Sequence, residues 1–296
     1  MEITTLGGVK RRIRARLLVA AVALAAAGIT VGVAVVQGRA DHDPGQAPPL
    51  ELSATSVELR AAEAAFERGD RDGARERFEA VLARDPESLE AAVGAAVVSW
   101  PDDTMGRLRD LAESHPSSAL VRLHLGLALY QQGERDEAEQ EWREAVRRDP
   151  DTPSAIRAED LLHPDMAPGR PFFYGASDSL AQGAALQRAG RPVSALRVFE
   201  RALAADPDSL EAKVAVAVAR FEKDDPSAAF SRLGPLARDH PDAGVVRYHL
   251  GLLLLWIRAL DEAAQQLEQA ASGDDAYAKA ASELLASVEE IRTRNS

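Results

Sequence analysis

Prolines recur along this chain at the ends of amphipathic helical stretches, twice at the same interval. Pro86, Pro116, Pro150, Pro207 and Pro241 follow Asp85, His115, Asp149, Asp206 and His240, and both Pro116 to Pro150 and Pro207 to Pro241 span 34 residues. Between the first pair the apolar spacing predicts a helix over 119–132, a turn at Gly133 and a second helix over 136–148. A two-helix unit of this size keeps an apolar face that only a neighbour can cover, so such units must stack. The 296-residue length exceeds what one hydrophobic core usually serves, no run of β-branched residues lies between turn signals, and aromatic residues make up 5%. An all-α array follows.

Small and large residues recur at set places within the units. The unit from Ala119 holds Leu125, Gly126, Leu129, Ala138, Trp142, Ala145 and Pro150 there, and the unit from Ala176 holds Gly183, Leu186, Gly190, Ala195, Phe199, Ala202 and Pro207, with Gln182 as a polar departure. The unit from Thr55 has Ala61, Ala62, Ala65, Gly69, Ala74, Phe78, Val81 and Pro86, and the unit from Gly244 has Leu250, Gly251, Leu254, Ala263, Leu267 and Ala270. These residues resemble the tetratricopeptide repeat, a helix-turn-helix unit of the same length. Two units match less well: the one from Leu210 keeps Ala217, Ala229 and Pro241 but puts Leu236 at a small position, and the one from Leu89 is four residues short and loses its turn near Trp100 and Pro101. Gly or Ala at a helix crossing lets the axes approach to roughly 8–10 Å. Glycine after the first helix accepts the left-handed conformation that ends it, and proline cannot continue the second.

A second level of repetition lies above the first. Residues 115–129 align with 240–254 at nine identities in fifteen, 107–112 resemble 232–237, and 85–93 resemble 206–214. The fold class expected is an α-α superhelix, a solenoid of about six helical hairpins in two duplicated three-repeat blocks, plus one N-terminal transmembrane helix. The expected organisation is a basic tail (1–16), a membrane helix (17–36), a linker (37–54), a first block with capping helix (55–162), a joint (163–173) and a second block with C-terminal capping helix (174–296).

Residues 17–36, LLVAAVALAAAGITVGVAVV, carry no charge, and as a helix rising 1.5 Å per residue they span about 30 Å, the thickness of a bilayer's hydrocarbon core. Lys10, Arg11, Arg12, Arg14 and Arg16 precede the span, while Asp41 and Asp43 follow Arg39, so the basic end is expected inside and residues 41–296 extracytoplasmic. A cleaved signal peptide, which would leave the body secreted, is the competing reading, with Ala25, Ala26 and Ala27 as small residues for cleavage. The Gly28/Gly32 spacing suits close helix packing but arises readily in Ala- and Gly-rich spans. Residues 41–54 hold three prolines and a glycine and read as a linker, with the Asp41-His42-Asp43 triplet solvated rather than metal-binding.

Residues 1–40 hold six basic side chains against Glu2 alone, which leaves residues 41–296 with 46 acidic and 29 basic side chains and a net charge of −17. Such a body repels nucleic acid and anionic lipid. There is no cysteine, hence no disulfide or thiolate metal site. No glycine-rich phosphate loop, nucleophile elbow or H-E-x-x-H occurs, so no catalytic residue, metal ligand, cofactor or small-molecule substrate is expected.

By the resemblance, the first helices of the hairpins line a concave groove. Its candidate binding residues are Phe66, Val97, Trp100, Leu123, His124, Leu127 and Tyr130 in the first block, and Val218, Phe221, Tyr248, His249, Leu252 and Trp256 in the second. The lining is apolar and aromatic and lacks the Lys and Asn pattern with which some members of the family clamp a peptide carboxylate. It suits an amphipathic helix or an apolar peptide. The alternative is a groove already filled, with the two histidines structural. Two functions fit: a membrane-anchored scaffold of the bacterial envelope that binds partner proteins, or an extracytoplasmic chaperone holding apolar client peptides, of the kind found in cytochrome c maturation. The bacterial origin rests on high Ala and Arg content with four lysines.

Overall fold

The computed structural model describes residues 46–53, 56–175 and 177–295. The expected basic tail, membrane span and Asp41-His42-Asp43 triplet lie outside these. Among the described residues there are fourteen helices and no strand, and no helix is long and apolar enough to cross a membrane. The chain divides into two compact units after Leu162.

The first unit contains α1 (Val57–Glu67), α2 (Arg71–Arg84), α3 (Leu89–Val98), α4 (Thr104–Ser114), α5 (Ala119–Gln132), α6 (Arg135–Arg148) and α7 (Pro153–Leu162). The second contains α8 (Asp178–Arg188), α9 (Pro192–Ala205), α10 (Leu210–Ala219), α11 (Ser227–Asp239), α12 (Gly244–Trp256), α13 (Leu260–Ala271) and α14 (Ala276–Asn295). Each unit is three antiparallel hairpins followed by a helix that packs on both members of the last hairpin. Among the first unit's hairpins, the second is the short one that the four-residue deficit anticipates: α3 ends at Val98, and the turn to α4 contains a cis Trp100–Pro101 bond.

Local chemistry sets the helix ends. Between hairpins the chain reads Asp or His, Pro, a free position, and Ser at Asp85–Ser88, His115–Ser118 and Asp206–Ser209. The proline stops one helix and the serine starts the next: Ser88, Ser118 and Ser209 side chains accept from the N–H groups of Ala91, Val121 and Ala212. Gly133, at φ 90°, closes α5 with its own N–H on the Tyr130 carbonyl and the Glu134 N–H on that of Leu129. At the matching turn of the second unit no glycine is present. Arg258 takes φ 61° and the same pair of bonds forms, from Arg258 to Leu255 and from Ala259 to Leu254. A non-glycine residue in this region costs about 1–2 kcal/mol, which the packing of α12 against α13 must outweigh.

Large side chains of second helices seat over small residues of first helices. A Cβ on Gly126 would lie 2.3 Å from Trp142 Nε1 and 3.0 Å from the Ala138 carbonyl. Trp142 in turn donates to the Leu123 carbonyl at 3.3 Å, so its ring has a fixed place. The duplication extends to polar detail. Arg122 bonds the Pro116 carbonyl and Glu141, and Arg247 bonds the Pro241 carbonyl and Gln266. The Gly126→Ala substitution is expected to destabilise the first unit by about 1–3 kcal/mol through overpacking against Trp142. A urea-denaturation midpoint equal to that of the parent chain would refute this seat.

Candidate functional site

The residues expected to line a groove are placed on the first helices or just beyond their ends, and most are buried. Val97, Trp100, Leu123, His124 and Leu127 in the first unit, and Val218, Phe221, Tyr248, His249, Leu252 and Trp256 in the second, are covered, whereas Phe66 and Tyr130 are half-buried. Several of them meet a segment of the same chain. An extended segment that precedes each set of hairpins, residues 46–53 in the first unit and 167–175 in the second, joins that unit's core through Leu50 and through Ala167 and Phe173. These two straps come from stretches expected to serve as linker and joint. Proline keeps them out of helix, as anticipated, but they are seated rather than solvated.

Each strap donates one backbone N–H to a histidine. In the first unit the Glu51 N–H donates to His124 Nε2 at 3.1 Å, and His124 Nδ1 lies 2.8 Å from the Leu120 carbonyl. A carbonyl can only accept, so Nδ1 carries the proton and Nε2 offers its lone pair to the strap. The second unit repeats this: the Tyr174 N–H reaches His249 Nε2 at 2.9 Å, and Nδ1 lies 2.7 Å from the Val245 carbonyl. Both imidazoles are therefore neutral, and burial pushes both below the ordinary histidine value. At His124 the Leu120 carbonyl and the Glu51 carboxylate oppose that shift; His249 falls to about 4 with the Val245 carbonyl as the opposing influence.

Side chains complete the two seats differently. In the first, Pro48 and Leu50 are buried, the Leu52 N–H donates to Glu63 Oε1 at 2.9 Å, and the Glu51 carboxylate takes two bonds from Arg157 of α7, at 2.6 and 2.9 Å. Burial disfavours the charged guanidinium, but the Glu51 carboxylate outweighs this and holds Arg157 above its ordinary value. Burial also raises Glu63, against the Leu52 N–H and with the nearby Glu67 and Glu51 charges adding to the rise.

In the second seat Pro171, Phe172 and Phe173 are buried, and the Phe173 ring stacks on His249 at 5.0 Å and 9°. The Tyr174 ring meets those of Tyr248 and Tyr277, and the Tyr277 hydroxyl donates to Glu211 at 2.8 Å. The strap backbone is bonded along its length: Ala167 N–H to the Trp256 carbonyl, Ala167 carbonyl from Lys223 Nζ, Gly169 carbonyl from Trp256 Nε1, and Phe173 N–H to Gln187. Burial raises the Tyr248 hydroxyl, with Tyr174 and Glu283 adding to it, and keeps that phenol neutral.

Of the expected residues, His124, Tyr248, His249 and Trp256 touch a strap through these bonds and rings. Tyr130 instead packs its ring against Trp142 at 5.8 Å. Leu50, Glu51, Glu63, Arg157, Phe173, Tyr174, Gln187, Lys223 and Tyr277 were not foreseen at the site. The signal that marks the straps is faint: a proline two residues before an apolar one, Pro48 with Leu50 and Pro171 with Phe173, ahead of each block. No group of side chains fit to hold a metal occurs among the described residues.

Residues 59–100 and 106–153 match one family model of the tetratricopeptide repeat, and residues 186–242 match another. Each unit thus contains tetratricopeptide repeats over the matched residues. No curated protein matches the chain by sequence. Among solved structures, the chain is similar to the P58(IPK) TPR domain at 17% identity, covering 79% of this chain and 65% of that one, with a TM-score of 0.31. A tetratricopeptide repeat protein from Parabacteroides merdae ATCC 43184 shows 11% identity over 78% of this chain and 97% of that one, TM-score 0.27. A human IFIT1 dimer with PPP-AAAA shows 16% identity over 75% of this chain and 51% of that one, TM-score 0.27.

Because His249 must be neutral to accept from Tyr174, the second unit should hold its full stability above the unfolded-state histidine pKa of about 6.5 and lose it as pH falls toward 4. The loss attributable to this residue is about 3 kcal/mol at 1.36 kcal/mol per unit. Denaturation midpoints between pH 7.5 and 4 should fall further for the parent chain than for His249→Gln. Parallel curves for the two proteins would exclude the histidine as the cause.

Proposed function

We propose that this protein is a membrane-tethered interaction scaffold whose two tetratricopeptide blocks bind polypeptide segments of partner proteins on the extracytoplasmic side of the membrane. One observation carries the reading: each unit already holds an extended stretch of its own chain, by a main-chain N–H on a histidine and an apolar side chain beside it. A surface built this way recognises backbone first and side chains second, which is how peptide grooves work. The tether and its orientation rest on the uncharged run 17–36 with basic residues before it and acidic ones after.

The extended conformation of the straps favours a second reading of the same surface. An assembly chaperone that holds apolar client segments needs a face that accepts proline-containing extended chain, and Pro171, Phe172 and Phe173 are such a segment. The two readings differ in the partner, a folded protein for the scaffold and an unfolded one for the chaperone.

Photocrosslinking in cells from Phe66, Tyr130 and Tyr174, which retain exposure, with mass spectrometry of the adducts, should trap another polypeptide. Adducts confined to the chain itself would refute binding at this face. Protease added to intact spheroplasts should digest residues 41–296; protection until the inner membrane is lysed would reverse the orientation.

A further inference from the structure

The first groove contains a charge that its own hairpins do not neutralise by a described ion pair. Arg157 stands on the closing helix α7 with its side chain 23% exposed, and its ion-pair partner is Glu51, supplied by the strap; Asp160 adds a weaker favourable charge from the same helix. Without the strap the guanidinium would lose its Glu51 partner, an arrangement that favours the arrival of another anion. The groove also offers the His124 Nε2 lone pair and the Glu63 carboxylate, which accept the N–H groups of Glu51 and Leu52. The seated residues Pro48, Pro49, Leu50 and Glu51 therefore read as a template: proline, any residue, an apolar residue, an acidic residue.

The two straps are not held alike. The second is bonded from Ala167 to Tyr174 and places Phe173 on the imidazole, with no ion pair described at Tyr174. The described polar bonds of the first are concentrated at Glu51 and Leu52, with Leu50 as its buried apolar plug. The first seat therefore reads its strap at two adjacent residues and one apolar plug.

Building on the peptide-binding reading above, we propose that the groove of the first unit is a binding site for extended partner segments of the form proline, any residue, apolar, acidic. Arg157 selects the carboxylate, and residues 46–53 serve as a built-in competitor. The strap is covalently attached, so its effective concentration is of the order of millimolar, and a free segment faces competition at that level. Selectivity comes from Arg157: a neutral or basic residue at the Glu51 position leaves the guanidinium unpaired and is rejected.

The test uses the full chain in detergent and a fluorescein-labelled peptide of residues 46–53, QAPPLELS, with QAPPLKLS as control, read by fluorescence anisotropy. In a Leu50→Gly, Glu51→Gly chain, whose strap is weakened, QAPPLELS should bind saturably, at least tenfold tighter than to the parent chain and at least tenfold tighter than QAPPLKLS. Adding Arg157→Glu should reverse the preference between the two peptides. Equal binding of both, or no binding by a variant with parental helix content, would overturn the proposal. Should the variant fail to fold, hydrogen exchange on the parent chain decides: unlabelled QAPPLELS at millimolar concentration should deprotect the Glu51 and Leu52 amides, and unchanged protection sinks the idea. A chain that crosslinks partners in cells yet does not discriminate the peptides loses this inference alone; a chain that discriminates them but traps no partner loses the scaffold reading.

Discussion

Stacking hairpins covers the flanks of the helices, and in this chain the first helices carry a further apolar face that is costly to leave wet. Val97, Leu123 and Leu127 in the first unit and Val218, Tyr248 and Leu252 in the second lie on it and are buried. An extended strap joins each unit's core, and an extended chain brings its own difficulty: its N–H groups have no partner within the segment, and burying them unpaired is expensive. Everything distinctive about the two sites follows from satisfying that backbone inside an apolar channel.

Histidine solves this because a neutral imidazole both donates and accepts. The helix carbonyl four residues earlier, Leu120 or Val245, takes the Nδ1 proton and thereby orients the ring, leaving Nε2 turned toward the strap. Burial then keeps the imidazole neutral, which is the only state in which the contact exists. The side-chain solutions diverge. An ion pair between Glu51 and Arg157 ties the first strap to the closing helix, whereas Tyr174, Tyr248 and Tyr277 do so in the second. Duplication preserved the backbone contact and left the rest free to change.

The hairpins were legible because their signals are local. The helix expected over 119–132 has those ends, the second begins one residue before the expected 136, and the prolines, serines and Gly133 act within one turn of where they stand. Arg258 was not legible as a left-handed turn: nothing about an arginine marks that conformation, and only the duplicate's Gly133 hints at it. Most of the expected groove residues lie on the first helices, where helical period places them, and most are buried. The strap that meets them was not legible, because a strap bound through main-chain N–H groups leaves almost no side-chain pattern beyond a proline and an apolar residue.

The amino-acid sequence by itself determined the helical repeats, their number and their pairing into two homologous blocks, since proline, glycine and small residues at crossings constrain backbone and packing within a few residues of themselves. Tertiary structure alone decided that the segments ahead of each block fold back into it. That choice joins residues 73 and 75 positions apart, Glu51 with His124 and Tyr174 with His249, and Glu51 with Arg157 at 106. At such separations no local propensity speaks. The contact forms because a buried apolar face, an unpaired N–H and a lone pair on a neutral histidine are all satisfied by the same move.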